Sequence, residues 1–81
     1  MFNVGDRVIG VNAYQGNSRM IGVKGTIILN EGGIITVEYD KNIKGDSGVE
    51  GNGKKEHCWS YKTTTIDCCV ALINPNLVEL I

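Results

Sequence analysis

The first forty residues constrain the fold most, because they alternate short β-branched segments with turn chemistry. Gly5-Asp6 precedes Arg7-Val8-Ile9-Gly10-Val11, which predicts a first strand over Arg7 to Val11. Residues 12–22 are polar, with Gly and Asn spaced through them, and read as a long first loop. Val23 to Leu29 predicts the second strand. Asn30-Glu31-Gly32-Gly33 predicts a hairpin connection, because paired glycines accept positive φ without a steric penalty. Ile34 to Asp40 follows as the third strand. Its alternation assigns Ile35, Val37 and Tyr39 to a core face and Ile34, Thr36, Glu38 and Asp40 to a mostly solvated face.

The second half is less regular. Residues 41–55 hold four glycines and no strong period, and read as a long mobile loop, either functional or disordered. A fourth strand is predicted over His57 to Tyr61, with His57, Trp59 and Tyr61 on one face and Cys58 and Ser60 on the other. Thr63 to Ile73 suits an extended segment or a short 3₁₀ turn. Asn74-Pro75-Asn76 reads as a turn and Leu77 to Ile81 as the closing strand. No repeat is visible, and residues 1–81 form a single domain.

Size and charge narrow the function classes. A chain of 81 residues buries only about 60–65% of its unfolded surface. Eight Lys and Arg against nine Asp and Glu give a net charge of -1. Nucleic-acid binders usually carry a basic excess, since phosphate neutralisation supplies their non-specific affinity. No apolar run approaches the roughly 20 residues of a membrane span. The start, Met1-Phe2-Asn3-Val4-Gly5-Asp6, lacks the basic-then-apolar order of a signal peptide, so a cytoplasmic location is expected. The three cysteines, Cys58, Cys68 and Cys69, are an odd count that suits free thiols in a reducing compartment.

The segments Gly5-Asp6-Arg7-Val8, Gly22-Val23-Lys24-Gly25-Thr26-Ile27 and Ile35-Thr36-Val37-Glu38-Tyr39-Asp40 together resemble the SH3-like and KOW-like family of small barrels. The Gly-rich stretch before His57-Cys58-Trp59, and the late Leu77-Val78-Glu79-Leu80, are similar to short phage and bacterial SH3-like proteins. The resemblance implies an all-β fold, a five-stranded SH3-like barrel with a long Gly-rich loop between strands three and four. It also implies binding rather than catalysis, at a groove lined by the first loop and strand four. The departure from the pattern is Thr63 to Ile73, since strand four in such barrels leads to strand five within a few residues.

Several motifs suggest chemistry and fall short of it. Gly48-Val49-Glu50-Gly51-Asn52-Gly53-Lys54 matches the start of a phosphate loop, but Lys55 stands where the magnesium-binding hydroxyl belongs. Asp40 to Gly51 begins like a calcium loop, with Lys44 and Gly51 at ligand positions that need oxygen donors. His57-Cys58 and Cys68-Cys69 are adjacent pairs, not the two-to-four spacing that zinc prefers. On a strand His57 and Cys58 point to opposite faces, so His57 cannot activate the thiol. No catalytic residue, metal ligand or cofactor is assigned.

The binding candidates are Tyr14, Arg19, Lys54, Lys55, Trp59 and Tyr61. Trp and Tyr dominate interface hot spots, although Trp59 also suits the role of core aromatic in so small a barrel. Arg7, Arg19, Lys24, Lys54, Lys55 and Lys62 could gather on one rim facing an acidic or phosphorylated partner. The leading expectation is a non-enzymatic binding module whose partner is another protein, in the manner of a phage-encoded inhibitor or adaptor. One alternative is a protein that sequesters a small phosphorylated molecule or nucleotide in the Gly-rich loop. Another is a KOW-like nucleic-acid-binding module using Arg7, Arg19, Lys24 and Lys54. A third is a homo-oligomer in which Val70 to Ile73 and Leu77 to Ile81 add strands to a neighbour.

Overall fold

The computed structural model describes residues 2–51 and 53–73. Five strands run in the order β1 (Arg7–Gly10), β2 (Lys24–Glu31), β3 (Ile34–Tyr39), β4 (Cys58–Lys62) and β5 (Val70–Leu72), with a 3₁₀ turn at Ile66–Cys68. They form one antiparallel sheet, ordered β4-β3-β2-β1-β5 and curled into a half-barrel. Five antiparallel strands, with β2, β3 and β4 as sequential neighbours and β1 flanked by β2 and β5, fit a small SH3-like barrel. Among the described residues no helix is long and apolar enough to cross a membrane.

The predicted hairpin is present, but tighter than Asn30-Glu31-Gly32-Gly33. β2 runs on to Glu31, and Gly32 and Gly33 alone make the turn at φ 61° and 82°. Two central residues at positive φ give a type I′ turn, whose twist matches that of paired strands. Between Ile27, opposite Val37, and Leu29, opposite Thr36, Ile28 is an extra residue on β2. Such a bulge increases local twist and bends the strand, which helps the sheet curl.

The ambiguous segment contains both of its expected forms, the 3₁₀ turn and then β5. The strand that pairs with β1 is therefore Val70–Leu72, in register Val8↔Leu72 and Gly10↔Val70. The predicted turn at Asn74-Pro75-Asn76 and strand at Leu77 to Ile81 lie outside the described residues.

Ile35, Val37 and Tyr39 are buried, as the alternation of β3 requires. Thr36 departs from the expected solvated face, being 0% exposed. Its hydroxyl lies 2.8 Å from the Ser60 hydroxyl directly across on β4, so the buried polar group is satisfied. Tyr61 on β4 joins Tyr39 in the core. Tyr39 and Tyr61 are both buried and their hydroxyls meet at 2.7 Å.

The connections are anchored rather than loose. Met20 in the first loop and Ile43 after β3 are both fully buried in the common core. Burying a side chain of this size contributes roughly 1.5–3 kcal/mol. The segment expected to be mobile, residues 41–55, is tied down by its backbone. Asp46 exchanges two hydrogen bonds with Cys58 at 2.9 and 3.0 Å, and Ile43 and Gly45 both donate to the Glu56 carbonyl. Gly45 is required there, because a Cβ at that position would sit 2.1 Å from the Cys58 carbonyl oxygen. Gly45→Ala is therefore expected to undock the connection, seen as new proteolytic cleavage within residues 46–53 while the hairpin of β2 and β3 stays resistant.

Burial pushes the Tyr39 phenol up to about 12, and burial together with the Tyr39 bond pushes Tyr61 upward as well. The folded state thus keeps protons that the unfolded chain releases near its ordinary value of about 10. Stability is predicted to be full below about pH 10 and to fall as pH rises from there towards about 12. Urea-unfolding midpoints measured across that window check this, and a constant midpoint would contradict it.

Candidate binding groove

The first loop closes on a second tight turn. Tyr14 and Asn17 exchange backbone hydrogen bonds at 3.0 and 3.1 Å. Between them Gln15 and Gly16 both have positive φ, 52° and 83°. This is again the type I′ arrangement, and it makes the loop tip rigid and narrow. Asn17 then works in two directions. Its Oδ1 accepts from the Arg19 backbone N–H at 2.8 Å, and its Nδ2 donates to the Ile43 carbonyl at 2.9 Å. One side chain therefore links the first loop to the connection after β3.

Lys44 follows the buried Ile43 and has φ 54°. Its N–H donates to the Asn42 side-chain oxygen at 2.8 Å, and the Asn42 amide donates to Glu56. Trp59 stands on β4 opposite Val37 and packs partly against the core. Between these elements lies a groove of about 500 Å³ lined by Gln15, Gly16, Asn17, Ser18, Arg19, Lys44 and Trp59. Two of the lining side chains are cationic and none is acidic. Among the described residues the salt bridge is Arg7–Asp40, which leaves Arg19 and Lys44 unpaired. Trp59 Nε1 is the one buried side-chain nitrogen or oxygen among the described residues without a hydrogen-bond partner. An unsatisfied buried donor of this kind costs about 1–3 kcal/mol.

Of the residues that the sequence singles out, Arg19 and Trp59 line the groove. Tyr14 supports it from behind. Its ring lies 4.9 Å from that of Tyr61, tilted by 44°, and its hydroxyl meets Thr65 Oγ1 at 3.1 Å. Tyr61 is wholly buried, so the core aromatic role considered for Trp59 falls to Tyr61 and Tyr39, and Tyr61 offers no surface to a partner. Lys54 and Lys55 are exposed and lie outside the lining. Lys44, Asn17 and Gln15 are the residues that sequence reasoning missed. The signals were present: Gln15-Gly16-Asn17 is turn punctuation, and Ile43 is an isolated apolar anchor beside Lys44.

Four N–H groups of the Gly-rich stretch are already used within the chain. The N–H of Gly48 bonds Asp46, that of Gly51 bonds the Gly48 carbonyl, that of Gly53 bonds the Ser47 carbonyl, and that of Lys54 bonds Glu38. Arg7 is also committed, to Asp40 through two bonds of 2.9 and 2.6 Å and to Thr26. This contact holds the Asp40 carboxyl below its ordinary range and raises the guanidinium. Cys58 is buried beneath Gly53, and desolvation pushes its thiol up to about 11. The neighbouring His57 ring bonds the Tyr39 carbonyl through Nδ1 at 2.7 Å. Among the described residues no three His, Cys, Asp or Glu side chains gather as a metal-binding group.

Asn17→Ala removes both loop-tying bonds, each contributing about 0.5–1.5 kcal/mol. The variant is expected to unfold at lower urea and to show altered Trp59 fluorescence, while Asn17→Asp, which keeps the acceptor, loses less. No family model, curated protein or solved structure matches this chain.

Proposed function

We propose that this domain is a non-enzymatic binding module, an adaptor or inhibitor that takes an acidic segment of a partner protein into the groove between the first loop and β4. The observation that carries this reading is the lining itself: among the described residues, two cations that no acid pairs and no acidic side chain, together with the aromatic Trp59. Arg19 offers a planar fork suited to a carboxylate, and Lys44 a point charge beside it. Trp59 supplies apolar contact area. A half-barrel that fits an SH3-like fold supports the reading, since this scaffold presents sites on its loops and strand ends.

The same cations would accept a phosphorylated small molecule. That reading is weaker, because the N–H groups of Gly48, Gly51, Gly53 and Lys54 in the Gly-rich stretch are already bonded within the chain. A nucleic acid is disfavoured by the overall charge of -1 and by the engagement of Arg7 with Asp40.

Trp59 is the only tryptophan, so its fluorescence reports this groove directly. Titration with a Glu-rich peptide is expected to shift the emission and to weaken with salt. Arg19→Glu combined with Lys44→Glu should weaken binding by at least about tenfold, equivalent to about 1.4 kcal/mol. Unchanged affinity in that variant overturns the proposal, as does a response to nucleoside triphosphate with none to the peptide.

A further inference from the structure

Cys68 and Cys69 lie outside the groove lining and play no part in the reading above. Neighbours on a strand point to opposite faces, but these two cysteines leave a 3₁₀ turn together. Cys69 sits at φ -122° and ψ -20°, with its N–H bonded to the Ile66 carbonyl at 3.0 Å. As a result the two Sγ atoms lie side by side, 3.3 Å apart.

The backbone of the pair is fixed from the side of the first loop. Val11 and Asn12 both donate their N–H groups to the Cys69 carbonyl, and the Asn12 side chain donates to the Cys68 carbonyl. The sulfurs themselves are held by weak thiol bonds only, Cys68 to the Thr65 carbonyl and Cys69 to the Ala13 carbonyl. Cys68 is exposed and Cys69 is buried beside it, so an incoming reagent reaches the first sulfur directly and the second at its flank.

A disulfide between them is a poor use of this geometry. It requires the sulfurs to close from 3.3 Å to about 2.05 Å. Adjacent Cα atoms are also only about 3.8 Å apart across a trans peptide, short of the usual range of about 4.4–6.8 Å for disulfides. An atom bonded to both sulfurs does not require them to close to bonding distance.

We propose that Cys68 and Cys69 form a dithiol site for a trivalent arsenical, bound through both sulfurs. In this step an R–As(OH)₂ group forms two As–S bonds and loses both As–OH bonds. The two hydroxides leave as water carrying the two thiol protons, and arsenic remains trivalent throughout. No preformed thiolate is needed, which suits a pair whose buried member, Cys69, is pushed up to about 11 by desolvation and by its bond to Cys68. Cys58 is an internal control, because it is buried against Gly53 and donates its proton to the Lys54 carbonyl.

The test is intact-mass spectrometry of the reduced full chain incubated with phenylarsine oxide. A single adduct is expected, stable to a monothiol and removed by a 1,2-dithiol. It should persist in Cys58→Ser and weaken at least about tenfold in Cys68→Ser, a one-sulfur site. Cys68 is exposed, so its serine variant keeps the fold, and Trp59 emission verifies this. Failure to form the adduct in the parent chain, its displacement by a monothiol, or equal labelling of Cys68→Ser would each overturn the proposal.

Discussion

Two phenols that can reach no water decide much of this molecule. Tyr39 and Tyr61 both face the concave side of the sheet, and a buried hydroxyl without a partner is costly. Tyr61 lies opposite Ile35, four residues along β3 from Tyr39, yet the two hydroxyls meet at 2.7 Å. They meet because the sheet is curled and the rings lean towards each other across its hollow. The third tyrosine then builds on the pair. Tyr14 packs its ring against Tyr61 and carries its hydroxyl to Thr65, whose own hydroxyl bonds the Lys62 carbonyl. The three tyrosines and Thr65 thus add a chain of side-chain contacts that joins β3, β4, the first loop and the approach to the 3₁₀ turn.

The groove depends on this assembly at one remove. Its walls come from two connections, and neither would hold its shape without residues buried in the core. Met20 seats the base of the first loop, Ile43 seats the start of the longer connection, and Asn17 joins the two. Arg19 and Lys44 are therefore held on backbones that have few alternatives, although their side chains reach solvent. Preorganised cations of this kind lose less freedom when they bind than cations on a loose loop.

What was legible in the sequence follows from how locally each feature is determined. The alternation of β3 depends on the pleat and was readable from Ile35, Val37 and Tyr39. The Gly32-Gly33 turn depends on two dihedrals and was readable too. Thr36 was not, because its burial depends on Ser60, 24 residues away. The extended form of Thr63 to Ile73 was readable, but not that Val70–Leu72 within it pairs with β1. A three-residue strand is too short to show a period. At the site, Arg19 and Trp59 could be named by residue type and expected position. Lys44 could not, because its place beside them is set by a hydrogen bond between Asn17 and the Ile43 backbone, which spans 26 residues. Lys54 and Lys55 look equally suitable on paper, but the chain turns them elsewhere.

The return of Asp46 to Cys58 has a consequence for the protein in concentrated solution. Among the described residues β4 is the outermost strand on its side of the sheet, and an outer strand offers unpaired N–H and C=O groups to any other chain. Here the chain's own backbone occupies that position at the start of the strand, with Gly45 close against the Cys58 carbonyl. A second molecule seeking to extend the sheet would first have to displace this segment. The glycine-rich connection is in this sense a guard against aggregation, and the small side chains that make it look featureless are what let it lie close enough to do so.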